Sequence, residues 1–347
     1  MPDGVSVIIC CHNSAKRLPE TLRHLAVQSV PEGIRWEIVV VDNASTDDTA
    51  EIAMDHWPAT SPAPLRVVSE PQAGLNYARR SGILKAHYEI VSLIDDDNWV
   101  ASDWILRVHS IFASNPEVGA CGGQSEAMPE ISPPVWFKNI QGAYAIGWQH
   151  AYTGDVTDAL GTLLWGAGLN LRTAAFQDLL THGFEFIVQD REGAQLSTGG
   201  DTEICFAMRA RGWHLWYDHE LRLRHFVPKE RLRWDYARRL MLGLGKAAVL
   251  FDLYLSALGR PPFDACPTWK KTWFPQFLKA LRQWGTLAIL HPADCFFQPE
   301  GSLVALSFEK MRAQLMTLWC IRGHYQKLRD HIAQAPWTNP KQKAPRV

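Results

Sequence analysis

Neither sign of charge is in excess in this sequence: 35 lysines and arginines are matched by 36 aspartates and glutamates over 347 residues. Without a basic field there is nothing to draw in a nucleic-acid backbone, so no nucleic-acid partner is expected and a small or neutral ligand is. Cysteine is sparse and unpatterned. The seven (Cys10, Cys11, Cys121, Cys205, Cys266, Cys295, Cys320) show no Cys-x-x-Cys spacing, which argues against zinc or dithiol redox chemistry and predicts reduced, packed thiols. Uninterrupted apolar runs of the ~18 residues needed to cross a bilayer are missing. The nearest candidate, Leu240 to Leu258, contains Lys246 and Asp252, both costly in lipid, and reads as a packed helix. No basic segment followed by an apolar stretch precedes the first strand, so a cytoplasmic location is expected.

Two nucleotide-binding signatures are absent as well. The glycine fingerprint of a nicotinamide-dependent oxidoreductase should follow the first strand, where this chain has His12-Asn13-Ser14. Gly243-Leu244-Gly245-Lys246 lacks the upstream glycine and the following Ser or Thr of a P-loop. A sugar-phosphate nucleotidyltransferase would need a glycine-rich basic loop after the first strand, and there is none.

What is present is alternation. Val5 to Cys11 is a short β-rich apolar run; Leu18, Leu22 and Leu25 then recur at helical spacing, and Trp36 to Val41 forms a second apolar run. A helix near Asp48 to His56, a strand at Leu65 to Ser69, a helix at Leu75 to Ala86 and a strand at Glu89 to Ile94 continue the pattern. The prediction is an α/β protein with a mixed, mainly parallel sheet covered by helices. Residues from Glu126 to Gly161 read as a loop-rich flap over the site. Helical signals return after Thr173, at Thr202 to Arg211, and from Arg231 onward. A catalytic domain over 1–230 is therefore expected, followed by a mainly helical extension over 231–347 that ends in a loose tail of about ten residues. Of the 15 tryptophans, Trp234, Trp269, Trp273, Trp284 and Trp319 lie late in the chain near basic residues. That mix suits either core packing or peripheral contact with a membrane surface.

In an open sheet of this kind, ligands gather beyond the carboxyl ends of the strands. The loops there carry His12-Asn13-Ser14, then Asp42 to Asp47, then Asp95-Asp96-Asp97-Asn98. Three consecutive aspartates repel one another unless a cation or donor offsets them, and oxygen ligands suit Mg²⁺ or Mn²⁺ bridging a diphosphate.

Val7 to Asn13, Val39 to Asp47, Leu75-Asn76-Tyr77-Ala78-Arg79 and Leu93-Ile94-Asp95-Asp96-Asp97 occur in the order and approximate spacing of family 2 glycosyltransferases, and over roughly residues 4 to 230 the chain resembles that family. The resemblance implies the GT-A fold and a nucleotide-diphosphate sugar donor. It brings His12 and Asn13 of the first motif to the donor, Asp42 to the donor base, Arg79 to the base or diphosphate, and Asp95 to the ribose. Asp97 would hold the metal, with Asp96 beside it, as in the family's Asp-x-Asp element. In some relatives a histidine near His225 completes the metal shell, as a neutral imidazole can. UDP is favoured only as the commonest donor nucleotide among the relatives.

Gly199-Gly200-Asp201-Thr202-Glu203 precedes a helical stretch, where an acidic residue also serves as a cap. The family places its catalytic carboxylate in an equivalent element, usually Glu-Asp, so Asp201 is the expected base, with Gly200 in place of the Glu. An inverting transfer is implied by the resemblance alone. Trp165-Gly166-Ala167-Gly168-Leu169-Asn170 is similar to the family's acceptor-side loop, where Trp165 could stack on a sugar. Glu230-Arg231-Leu232-Arg233-Trp234 is weakly similar to the Gln-x-x-Arg-Trp element of processive members. Those normally carry membrane spans, so transfer of a single sugar to a sugar or glycolipid acceptor is expected. A non-catalytic sugar-binding or scaffold subunit is the alternative.

Overall fold

The computed structural model describes residues 1–159, 163–187, 199–258 and 272–339. Gly161, Cys266, Trp269 and the tail from Pro340 lie outside the described residues.

The first half follows the expected alternation: β1 (Val5–Cys11), α1 (Leu18–Ala26), β2 (Trp36–Asn43), α2 (Thr49–Asp55), β3 (Leu65–Glu70), α3 (Leu75–Leu84) and β4 (Ile90–Asp95). β1 lies between β2 and β4, and β2 pairs with β3, all in parallel. After the short β5 (Asn98–Val100) come α4 (Trp104–Ser114), β6 (Val118–Pro129), β7 (Gly154–Asp155) and β8 (Leu169–Arg172). They are followed by α5 (Thr173–Thr181), α6 (Gly200–Arg211) and β9 (His214–Val227). Among the described residues these strands form one mixed sheet in the order β3-β2-β1-β4-β8-β6-β9-β5, with β7 on β9. This is the predicted α/β architecture.

Continuous apolar strands are what a sheet covered on both faces requires. Along β1 and β2 alternate side chains enter different cores. Val5, Val7, Ile9, Ile38 and Val40 pack with Leu18, Leu22 and Leu25 of α1 and with Trp104, Ile105, Val108 and Phe112 of α4. Ile8, Val39 and Val41 face the other way, toward Ala78 and Ile83 of α3, Phe176 of α5 and Ile204 and Phe206 of α6.

The C-terminal helices are α7 (Trp234–Leu258), α8 (Trp273–Leu290), α9 (Pro292–Phe297), α10 (Leu303–Ile321) and α11 (Tyr325–Gln334), and that second core continues into all of them but α9. Val249, Leu253 and Tyr254 of α7, Leu318 of α10 and Tyr325 and Ile332 of α11 belong to it. α7 is long and apolar enough to cross a bilayer, yet half of its apolar window is buried within the protein. A Cβ at Gly245 would stand 2.3 Å from the Lys310 carbonyl oxygen, so the missing side chain lets α7 and α10 touch backbone to backbone.

Two expectations are revised. Glu126 to Met128 belong to β6 rather than to a loop, and Val135–Tyr144 forms 3₁₀ turns. Five of the six described cysteines are buried or partly buried, but Cys320 is exposed. The late tryptophans are largely packed: Trp234 lies edge-on to Trp136, Trp273 is half-buried, and Trp284 stacks on Phe308. Only Trp319 among those described is exposed, with the Arg322 guanidinium over its ring. The exposed apolar surface lies elsewhere. Phe274, Leu278, Leu281 and Ile289 are exposed at helical spacing along α8, and Phe296 and Phe297 at the end of α9 are 67% and 85% exposed.

Candidate active site

The turn joining β4 to β5 is pinned from three sides. The Asn98 side chain accepts from the Asp95 N–H at 3.4 Å and donates to Asp97 Oδ1 at 3.2 Å. The Phe226 N–H of β9 donates to the Asp97 carbonyl at 2.8 Å. Pairing of β5 with β9 sets His225 opposite Asn98, and Trp99 is stacked between His24 and Phe226. Strand register thus brings together Asp97 and His225, which are far apart in sequence.

His225 Nε2 lies 3.5 Å from Asp97 Oδ1, and both side chains are almost fully buried. Neighbouring ligands on an octahedral ion at about 2.1 Å stand about 3 Å apart, so this pair fits one divalent cation after a small adjustment. Among the described residues no cluster of three or more His, Cys, Asp or Glu side chains is suited to a metal. An ion here would draw its other ligands from water and a diphosphate, as Mg²⁺ and Mn²⁺ do. A positive group already stands at the pair: Arg231 Nη1 is 3.0 Å from Asp97 Oδ2 and 3.5 Å from His225 Nε2. Burial alone would lower the Arg231 pKa, but the charge of Asp97, joined by those of Tyr236, Asp96 and Asp95, outweighs it and holds it above its ordinary value.

Asp96 turns away from this pair. Its Oδ2 accepts from Arg17 Nη2 at 2.6 Å and Nε at 3.1 Å, and its carbonyl accepts from Thr21 Oγ1 at 2.8 Å. Burial and the Asp97 charge raise its pKa, against the pull of Arg17.

Two adjoining cavities meet here, sharing Leu75, Asp95, His225 and Arg231 on their walls. The smaller, about 210 Å³, is lined by Cys10, Cys11, His12, Arg17, Asn43, Gly74, Asp96 and Asp97. Burial pushes the Cys10 thiol up to about 12, so it is a neutral wall group. The larger, about 430 Å³, adds Arg79, Trp148, Gln149, Trp165, Gly166 and Asp201, with Tyr236, Leu240, Leu244 and Phe251 along α7. Gly142 to Ala145, from the expected flap, form part of its wall.

Asp201 sits in the first turn of α6. Its Oδ2 accepts from the Gly166 N–H at 2.6 Å and its Oδ1 from the Thr202 N–H at 2.8 Å. Gly166 is where the backbone must pass closest. A Cβ there would stand 2.7 Å from Arg79 Nη2 and 3.2 Å from Asp201 Oδ2.

Of the residues singled out in the sequence, the structure brings His12, Asp95, Asp96, Asp97 and His225 to the smaller cavity and Arg79, Trp165 and Asp201 to the larger. Asp42 and Asn13 line neither. Asp42, flanked in the sheet by Cys11 and followed by Asn43, accepts from the Ser45 N–H at 3.3 Å. Asn13 accepts from the Thr46 N–H at 2.8 Å, joining the two neighbouring loops. Asn43 was not foreseen. It donates to the Glu70 and Gln72 carbonyls and accepts from the Gly74 N–H, fixing the entry to α3, which carries Arg79. Arg17, Arg231 and the exposed Trp148 were missed too; only Arg231 lay in a noted motif.

Residues 6–163 match Glycosyl transferase family 2. The chain is 26% identical over 240 residues to a poly-beta-1,6-N-acetyl-D-glucosamine synthase of Staphylococcus epidermidis, covering 67% of this chain and 54% of that protein. It therefore spans about half the length of that relative. It is 25% identical over 244 residues to the succinoglycan biosynthesis protein ExoM of Rhizobium meliloti, covering 69% of this chain and 72% of that one. Among solved structures, the mannosyltransferase PcManGT of Pyrobaculum calidifontis, in complex with GDP-Man and Mn²⁺, superposes with a TM-score of 0.56 at 20% identity. That superposition covers 93% of this chain and 89% of PcManGT and shows the fold. The ordered motifs, the sheet and these matches agree: the chain has the GT-A fold, and over residues 6–163 it is similar to glycosyl transferase family 2.

Proposed function

We propose that the protein is a glycosyltransferase that moves a single sugar from a nucleoside-diphosphate sugar, with UDP favoured, to an acceptor hydroxyl in polysaccharide or glycolipid assembly. The observation that carries this reading is the joined pair of cavities, with Asp97 on the wall of one, Asp201 on the wall of the other, and Asp95 and His225 common to both.

The donor lies in the smaller cavity, its base toward the end of β2 near Asp42 and His12 and its ribose at Asp95. Asp97 and His225 would hold a divalent cation, which would supply positive charge to offset that gathering on the departing diphosphate. Arg79, beside Gly166, faces the sugar end. Asp201, fixed by two backbone N–H groups, retains free lone pairs and takes the proton from the acceptor hydroxyl as its oxygen attacks the anomeric carbon. The bond to the diphosphate breaks on the opposite face, which inverts the configuration. Trp148, Trp165 and the apolar side of α7 give the acceptor cavity both stacking and lipid-like walls, which suits a glycolipid.

The exposed stripe on α8, with Lys279 and Arg282 on the same helix, is assigned to an anionic membrane surface on the cytoplasmic side, where such an acceptor would be presented.

Donor binding and hydrolysis across a panel of nucleotide sugars, with and without Mn²⁺, test the reaction. One donor should bind in a metal-dependent manner, lose that binding in Asp97→Ala, and bind without turnover in Asp201→Asn. A folded protein that binds no nucleotide sugar overturns it.

A further inference from the structure

Arg231 stands where the metal reading needs a cation. Its Nη1 atom is within 3.0 Å of Asp97 Oδ2 and 3.5 Å of His225 Nε2, and those two side chains are within 3.5 Å of each other. A guanidinium and a divalent ion cannot share so small a space. The Arg231 side chain is itself only 20% exposed and lines both cavities. It belongs to a short 3₁₀ turn, Lys229–Leu232, that leads directly into α7. Tyr144 fastens that turn, donating from its hydroxyl to the Arg231 carbonyl at 2.9 Å.

Electrostatics argue for a resident cation. Asp97 is 3% exposed and lies next to the buried Asp96. Arg17 pairs with Asp96, and Arg231 pairs with Asp97. A buried carboxylate deprived of its counter-charge is strongly destabilising.

Resting on the donor-and-metal reading above, we infer that Arg231 is the stand-in cation of the Asp97–His225 pair and must withdraw from it when a divalent ion binds. Nucleotide-free protein is therefore a poor metal binder. The ion enters readily only when a diphosphate offers the displaced guanidinium a new anionic partner, so donor and metal bind as a pair. Because Arg231 is fastened to the wall of the acceptor cavity, its movement is passed on to the start of α7.

The test is Mn²⁺ binding to nucleotide-free protein, followed by electron paramagnetic resonance and by thermal melting, in wild type, Arg231→Met, Arg231→Gln and Arg231→Lys. Arg231→Met and Arg231→Gln should bind Mn²⁺ about tenfold more tightly than wild type, and each should melt lower in EDTA and recover on adding Mn²⁺. Arg231→Lys, which keeps a charge at the pair, should stay within about threefold of wild type. Unchanged or weaker Mn²⁺ binding in both neutral variants, with circular dichroism showing them folded, overturns the inference while leaving the metal reading intact. If Asp97→Ala leaves Mn²⁺-dependent donor binding unchanged, the metal reading and the inference fall together.

Discussion

Asp201 Oδ2 accepts a 2.6 Å hydrogen bond from the backbone N–H of Gly166, so the expected base is oriented by a loop 35 residues upstream. An amide at this position can accept one of the two backbone donors but must turn its NH₂ toward the other. Asp201→Asn should therefore lose about one charge-assisted hydrogen bond, about 1.5–3 kcal/mol, while transfer falls by about 10²–10⁴-fold. Melting temperature and single-turnover assays on one preparation check both.

Gly166→Ala probes the same contact from the other side. The added methyl meets the tip of Arg79 and the Asp201 carboxylate, and Arg79 is the more flexible of the two. Stability should change by less than about 1.5 kcal/mol, with a loss of transfer of about 10²-fold from misplacement of the base. Wild-type turnover would mean that Asp201 is not the proton acceptor.

Acid should loosen the contact between α7 and α10. Glu309 of α10 is buried, and burial alone would raise its pKa. Hydrogen bonds from Arg238, Arg312 and Gln298 outweigh that and hold it below the usual carboxylate range. A depressed folded-state pKa stabilises at pH values above the unfolded one, about 4.3, and that stability drains away as pH falls through the lower folded value. Hydrogen exchange in α7 and α10 should rise across this acid window in wild type. In Glu309→Gln the acid-dependent step should be smaller, and the melting point at neutral pH lower.

The α8 stripe makes a prediction about surfaces. Wild-type protein should sediment with vesicles containing phosphatidylglycerol, less so in high salt. Phe274→Ser/Leu278→Ser should weaken this by about tenfold or more without lowering donor turnover in solution. Equal sedimentation of the variant would remove the membrane assignment.

Much of the fold was legible because β1, β2 and β4 are near-continuous apolar runs between amphipathic helices, and the site loops follow from where such strands end. The local pattern could not show what depends on register. His225 reaches Asp97 because β9 pairs with β5, a relationship between segments more than a hundred residues apart. Nothing in the sequence ties Arg17 to Asp96 or Arg231 to Asp97, and only the folded chain sets them there. Asn43 was overshadowed by its acidic neighbour, since an amide bridging two loops leaves no periodic trace. For the late tryptophans the sequence left core packing and surface contact both open, and the structure packs most of them. A count of aromatics does not say which faces water, and on α8 and α9 the exposed rings are phenylalanines.

α7 has one face on the acceptor cavity and another in the common core, and Tyr254 in that core donates a 2.5 Å hydrogen bond to Glu203, two positions beyond Asp201. On the proposed function, acceptor choice and the footing of the base would both depend on this one helix. Point substitutions along α7 should then alter both at once, and acceptor range should change most readily by exchanging the α7–α11 block as a unit, with its partner residues on α6. A chain cut at residue 230 would strip that face of α6 and unseat the carboxylate it carries.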